Sequence, residues 1–318
     1  MAARVGCGEF VYEVDLDWAK LPEGWNLHEV ADVVIDRQDR VYVLNRGEHP
    51  IIVLDREGNL VDFWGEGTFG RPHGATLGPD GLLYLADDAD HTVRKCTLSG
   101  EVLQTFGVSG QAAPYQSGRP FNRPTKVAFA PETGDLYIAD GYGNARVHKF
   151  SPDGEHLFSW GEYGSDPGQF NLVHSVCTDR QGLVYVADRE NHRVQVFDPQ
   201  GQYVTQWNNL HRPCGMHIVD GEVPLAFIGQ LPGSMAVNQD YPNIGARVSI
   251  HTLDGQRLAW LGDVRAGDAK PEQFIAPHGL AVDSRGDLYV GEVSWSFYGR
   301  HLNPPREFRS LRKLVKVS

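Results

Sequence analysis

Short runs in which apolar and polar residues alternate dominate the chain, and the most regular of them centre on a tyrosine. They are Val41-Tyr42-Val43, Leu83-Tyr84-Leu85, Leu136-Tyr137-Ile138, Val184-Tyr185-Val186 and Leu288-Tyr289-Val290, with Ala226-Phe227-Ile228 as a degenerate sixth. A period of two built from tyrosine and β-branched residues marks strands packed on a core. Each copy keeps the same company. An alternating run precedes it (Ala75-Thr76-Leu77, Val176-Cys177-Thr178, Leu280-Ala281-Val282), and a turn such as Asp80-Gly81 or Gln181-Gly182 joins the two. A polar loop and a third run such as Val194-Gln195-Val196-Phe197 follow, then a Gly turn and a fourth run ending in Phe-Gly or Trp-Gly. Repeats of about 40 to 60 residues, each with four short strands, fall in the range of propeller blades. The pattern therefore predicts an all-β fold: a six-bladed β-propeller of four-stranded antiparallel blades, in one domain over residues 1–318.

Three departures from the repeat carry information. Phe10-Val11-Tyr12-Glu13-Val14 is an orphan alternating run ahead of the first unit, and the segment 10–18 is expected to supply the outer strand of the last blade and close the ring. The last unit holds an insert at 294–309, rich in aromatics and arginine, before the closing run Leu314-Val315-Lys316-Val317. The long loops 108–122 and 230–245 are expected to cover one face.

The first strand of each blade lines the central channel of a propeller, so equivalent residues of all units face a common space. At the position just before the alternating run, the six units carry Ala31, His73, Thr125, His174, Cys214 and His278. A single histidine there is most simply a feature of the strand start, bonded to a neighbouring carbonyl. Three on alternate units converge on one point instead, with the opposite side open, and three imidazoles with an open position is the geometry of a catalytic zinc site. Imidazole also serves iron, copper and nickel, so other divalent transition metals remain candidates. Cys214 is expected to be channel packing, and His49, close to Arg46, is the remaining histidine of interest.

Charge and cysteine content narrow the function classes. The chain has 41 acidic and 29 basic residues, for a formal charge of -12, which disfavours a phosphate backbone as partner. No apolar run reaches the roughly 18 residues of a membrane span, and Met1-Ala2-Ala3-Arg4-Val5-Gly6-Cys7-Gly8 is not the start of a signal peptide. Four cysteines without CxxC spacing suit reduced thiols. Together these predict a cytoplasmic protein without membrane or nucleic-acid partners. Its oligomeric state is not written in the sequence.

The motifs Arg46-Gly47-Glu48-His49, Arg71-Pro72-His73-Gly74, Ala139-Asp140-Gly141-Tyr142-Gly143-Asn144-Ala145-Arg146, Val173-His174-Ser175, Ala187-Asp188-Arg189-Glu190-Asn191 and Pro277-His278-Gly279 resemble one family over nearly the whole chain. The chain resembles NHL-repeat propellers and, among them, the peptidyl-alpha-hydroxyglycine alpha-amidating lyase domain. The resemblance implies zinc on His73, His174 and His278, Tyr142 as the base, and Arg46 and Arg189 as substrate contacts. Departures are equally specific. Gly279 stands where the family carries an acidic residue that helps bind a structural calcium, so calcium is not expected here. Ala276 replaces a methionine, and Gly143, Tyr185 and Val196 stand where secreted members have disulfide cysteines. No copper monooxygenase domain precedes the propeller in this sequence.

The chemistry that follows is metal-assisted C–N cleavage. A hydroxyl on the carbon of an N,O-acetal loses its proton more easily beside a divalent cation, and collapse to a carbonyl expels the amide nitrogen. Tyr142 would take that proton, and the arginines would grip a carboxylate through two hydrogen bonds. The expected function is a metal-dependent lyase acting on a small alpha-hydroxyamide that carries a carboxylate, giving an amide or amine and a carbonyl acid. Two alternatives stay open at this stage: a metal-dependent hydrolase of a lactone, ester or amide, and a non-catalytic NHL binding scaffold. Fold alone does not choose among them.

Overall fold

Each tyrosine-centred run forms the second strand of an antiparallel sheet in the computed structural model, which describes residues 2–239 and 241–317. Five sheets have four strands and one has five. The innermost strands are Val30–Ile35, Pro72–Leu77, Pro124–Phe129, Val173–Thr178, Pro213–Val219 and Pro277–Val282, one per blade. Neighbouring inner strands pack on each other around the ring, including Pro277–Val282 against Val30–Ile35, so six blades close. The degenerate sixth copy is the strand Leu225–Gln230 of blade 5. No described helix is long and apolar enough to cross a membrane.

Closure is made by the N-terminal strand. Phe10–Asp15 pairs antiparallel with Leu311–Lys316, with Tyr12 opposite Lys316 and Asp15 opposite Lys313. Two details differ from the sequence-based expectation. The strand within 10–18 stops at Asp15, and Trp18 turns into the core, edge-on to Tyr289 at 4.9 Å with its Nε1 donating to Arg56 O at 2.7 Å. Beyond it, Arg4–Cys7 adds a fifth strand to the last sheet. Only Val5 of that strand is buried, so its alternation is too short to stand out from a polar terminus.

The repeating residues have structural reasons. The core lies between blades, where faces such as Tyr137, Val147, Val186 and Phe197 interlock. A buried tyrosine hydroxyl needs an acceptor. The turn aspartates provide one: Tyr42 donates to Asp36, Tyr84 to Asp80, Tyr185 to Asp179 and Tyr289 to Asp283, at 2.9–3.3 Å. The acid that ends the second strand has a different task. Asp87 accepts from the backbone N–H groups of Gly70 and Arg71, Asp188 from that of Asn171, and Glu292 from those of Ile275 and Ala276. Each carboxylate thus pins the loop that feeds a histidine-bearing inner strand.

Glu292 is the most consequential of these pins. It is fully buried, and its second oxygen takes the Nε of buried Arg312 at 2.5 Å. Replacing Glu292 by alanine leaves a buried guanidinium without its counter-charge and two amides without an acceptor. The expected loss is about 3–5 kcal/mol of stability, to be measured by urea unfolding against wild type.

Candidate active site

A shared irregularity aims six side chains into the channel. At the start of every inner strand the pairing with the second strand slips, between Val30 and Asp32, Pro72 and Gly74, Pro124 and Lys126, Val173 and Ser175, Pro213 and Met216, and Pro277 and Gly279. The skipped residues include Ala31, His73, Thr125, His174, Cys214 and His278, the positions the repeat alignment picks out. A bulge of this kind leaves one residue unpaired and redirects its side chain.

The three histidines meet. Their ring centroids are 4.8 Å apart for His73 and His174, 4.9 Å for His73 and His278, and 4.7 Å for His174 and His278. One potential ligand atom from each lies within 4.8 Å of the others, and all three residues are buried. The strand-start habit is present as well. His73 Nδ1 lies 2.9 Å from Thr125 O, and His278 Nδ1 lies 2.6 Å from Ala31 O, each a carbonyl at the equivalent position of the next blade. A carbonyl partner requires the proton on Nδ1, which leaves the Nε2 lone pair free. Local bonding and convergence are therefore two ends of the same ring. Burial above all, then the neighbouring imidazoles and arginines, holds the pKa of each of these histidines well below the ordinary value, so they are neutral. Three neutral imidazoles, two oriented by outer carbonyls and the third beside the Cys214 thiol, fit a divalent transition metal, and His73, His174 and His278 are the residues that could hold one.

Tyr142 enters from the loop after Leu136–Asp140. A β-carbon at Gly141 would run into the Val173 backbone, so glycine is needed for the loop to pass blade 4. The Tyr142 hydroxyl lies 3.1 Å from His73 Nε2 and 3.2 Å from His174 Nε2, between two of the three rings. Arg189 Nη1 approaches the same oxygen at 3.5 Å. Arg189 also pairs with Glu190 at 2.7 Å. Burial opposes the guanidinium charge, but Tyr142, Cys214 and Glu190 outweigh it and raise the Arg189 pKa. Glu190, although burial pushes it up, is held down to about 2 by Arg212 and Arg189. Arg46 is fixed by Glu29 at 2.5 Å and by the Pro72 carbonyl at 3.0 Å, while its buried Nη2 has no protein partner among the described residues.

Two other candidates, His49 and Cys214, do not join the cluster. His49 stacks on Trp25 at 3.6 Å and bonds Glu66, outside the channel mouth. Cys214 Sγ lies 3.3 Å from His174 Nδ1, and burial pushes its thiol up to about 12, so it packs as a neutral group beside the ring.

Tyr142, which touches two of the histidines, lines a cavity of about 1370 Å³ together with Arg46 and Arg189, and the three imidazoles lie beneath that lining. The 294–309 insert walls it with Trp295, Phe297 and Tyr298, and Ser296 N donates to Glu29 at 2.7 Å, tying the insert to the carboxylate that holds Arg46. From the 230–245 loop, the described residues that form the wall are Pro232, Gly233 and Ser234; Asp240 lies outside the described residues. The 108–122 loop packs behind Tyr142, with Gln116 N donating to Gly143 O at 2.9 Å.

Sequence reasoning missed one group of residues. Arg123 stacks on the Tyr142 ring with its guanidinium carbon 4.5 Å from the centroid, and it shares buried Asp88 with Arg71. The signal was present as a triplet: Arg71-Pro72-His73, Arg123-Pro124-Thr125 and Arg212-Pro213-Cys214 place an arginine at the channel mouth in three blades.

Comparison with known proteins agrees with this architecture. The family described as "NHL repeat" matches residues 121–150 and 170–197. The chain is 30% identical to NHL repeat-containing protein 3 of Homo sapiens over 90% of its own length and 82% of that protein. It is 31% identical to peptidyl-alpha-hydroxyglycine alpha-amidating lyase 1 of Drosophila melanogaster over 85% of its length, and spans 51% of that protein. Among solved structures, a putative gluconolactonase superposes with a TM-score of 0.59 at 16% identity, covering 93% of each chain, a likeness of fold. With repeat, ring and full-length similarity in agreement, the chain belongs to the NHL-repeat family of six-bladed propellers and is similar to the amidating lyases within it.

Proposed function

We propose that the protein is a metal-dependent lyase that cleaves the C–N bond of a small alpha-hydroxyamide bearing a carboxylate, with zinc as the metal. One observation carries this reading: the Tyr142 hydroxyl sits between the free nitrogens of His73 and His174, with the unpartnered Nη2 of Arg46 buried at the mouth of the same site. Similarity to a protein named as an amidating lyase supports the same class of chemistry. The free cysteines suit a reducing, cytoplasmic setting.

Substrate enters from the insert side and is held by its carboxylate, for which Arg46 Nη2 offers a preformed, desolvated donor. A divalent cation on His73, His174 and His278 supplies, when bound, the Lewis acidity that makes a substrate hydroxyl easier to deprotonate. Tyr142, as the phenolate, accepts the hydroxyl proton and holds it for the leaving nitrogen. The electron pair left on oxygen forms the new carbonyl, the C–N bond breaks, and the proton is passed to the departing nitrogen, so the products are an amide and a carbonyl acid. Arg189, 3.5 Å from the Tyr142 oxygen, and Arg123, stacked on its ring, both favour negative charge on that oxygen.

The test is direct. Zinc-loaded protein is incubated with alpha-hydroxyhippurate, and glyoxylate and benzamide are quantified together. Stoichiometric appearance of both is expected. Silence on this substrate together with turnover of lactones would replace the lyase by a hydrolase, and silence on both would leave a binding scaffold.

A further inference from the structure

Beneath the histidine layer the channel holds a second charged assembly, made by residues that play no part in the chemistry above. Lys126, on the inner strand of blade 3, reaches past blade 2 to form an ion pair with Asp32 on the inner strand of blade 1. Its ammonium also donates to Ala75 O of blade 2 at 2.6 Å, and Ala75 N donates to the same Asp32 oxygen at 2.9 Å. The other Asp32 oxygen accepts from Val33 N at 2.9 Å. Three successive blades are thereby joined through one cation. Asp32 and Lys126 each follow directly a residue whose carbonyl orients a histidine, Ala31 for His278 and Thr125 for His73.

These ligands are the kind a hard metal ion would take. Calcium is bound by six to eight oxygens drawn from carboxylates and backbone carbonyls. Here the available carboxylate and carbonyl already face an ammonium. Position 279, where the resemblance places an acidic calcium ligand, cannot carry one: a β-carbon on Gly279 would collide with the Asp32 carboxylate and the Ala31 carbonyl. A calcium site does not fit these residues.

We infer that Lys126 is an intrinsic, tethered cation that occupies the channel position of a structural metal ion, so that the ring is closed below the active site by a side chain. The strut's Lys126 lines a second cavity of about 440 Å³ on the far side, which shares no lining residue with the wide cavity at the mouth. Access to the histidines is then from the insert side alone. Nothing in this inference depends on what the histidines hold.

The experiment reads melting temperature on protein stripped of metal and reloaded with zinc. Added millimolar calcium is expected to leave wild type within about 1 °C, because no oxygen cage is free to receive it. Lys126→Met is expected to lower the melting temperature by about 5–15 °C, since it strands a buried carboxylate, and Asp32→Asn in the same chain is expected to recover most of that loss. A calcium-dependent rise in wild type would overturn the inference. So would Lys126→Met melting with wild type, or a double variant no more stable than the single one. If Lys126→Met does not fold at all, the double variant and the calcium titration still decide.

Discussion

Replacing His174 by alanine is expected to lower bound transition metal from about one equivalent per chain to below about a tenth of that, and to abolish turnover. The argument rests on how little else can hold the ion. The cluster consists of three neutral nitrogens, one from each of three alternate blades, and no carboxylate belongs to it. Removing one leaves two, a number from which divalent ions are readily lost. Changes to outer partners alone cost about 10–100-fold in affinity, so loss of a ligand exceeds that. The neighbouring thiol of Cys214 does not compensate, because burial keeps it protonated with its pKa pushed up to about 12. The same outcome is expected for His73→Ala and His278→Ala. Elemental analysis after equilibrium dialysis, with circular dichroism to establish folding, checks it. A folded variant that retains stoichiometric metal would remove the basis for the proposed chemistry.

Tyr142→Phe is expected to lower kcat by about 10²- to 10⁴-fold, the usual worth of a positioned proton acceptor, while metal content stays at about one equivalent. The substitution removes a single oxygen. The phenyl ring keeps its place against Arg123, and His73 and His278 keep their carbonyl partners, so site geometry is retained. KM should change by less than about tenfold, because the carboxylate contact belongs to Arg46. Steady-state kinetics on the hydroxyhippurate assay, paired with metal analysis, separates the roles: a drop in kcat with metal retained assigns proton transfer to Tyr142. Loss of metal in this variant would instead make the tyrosine a fourth ligand.

The fold was legible because each blade repeats side chains whose partners lie within the same blade. Tyr84 and Asp80, or Asp87 and the N–H groups of Gly70 and Arg71, are near neighbours in the chain, and local pairings of that kind recur as a visible sequence period. The three channel histidines were legible for the same reason, since a bulge at a fixed place in each inner strand keeps one position facing the axis. Interactions between blades were not. Lys126 and Asp32 lie 94 residues apart and meet only because the ring closes. In sequence they look like ordinary polar residues of alternating strands. Arg123 was hidden by its distance from Tyr142 in the chain, and the outermost strand Arg4–Cys7 by its shortness. Even the charge balance misled slightly: the chain is acidic as a whole, yet Arg46, Arg71, Arg123, Arg189 and Arg212 crowd the channel mouth against Glu29, Asp88 and Glu190.

The pairing of Tyr12 with Lys316 and of Asp15 with Lys313 has a temporal side. During synthesis, five blades can form in order while Phe10–Asp15 waits without its mate until residues 311–316 have been made. His278 belongs to that last blade, so the triad is assembled only when the circle shuts. Before closure the folded blades present two of the three imidazoles together, so a metal that needs all three would be bound only afterwards.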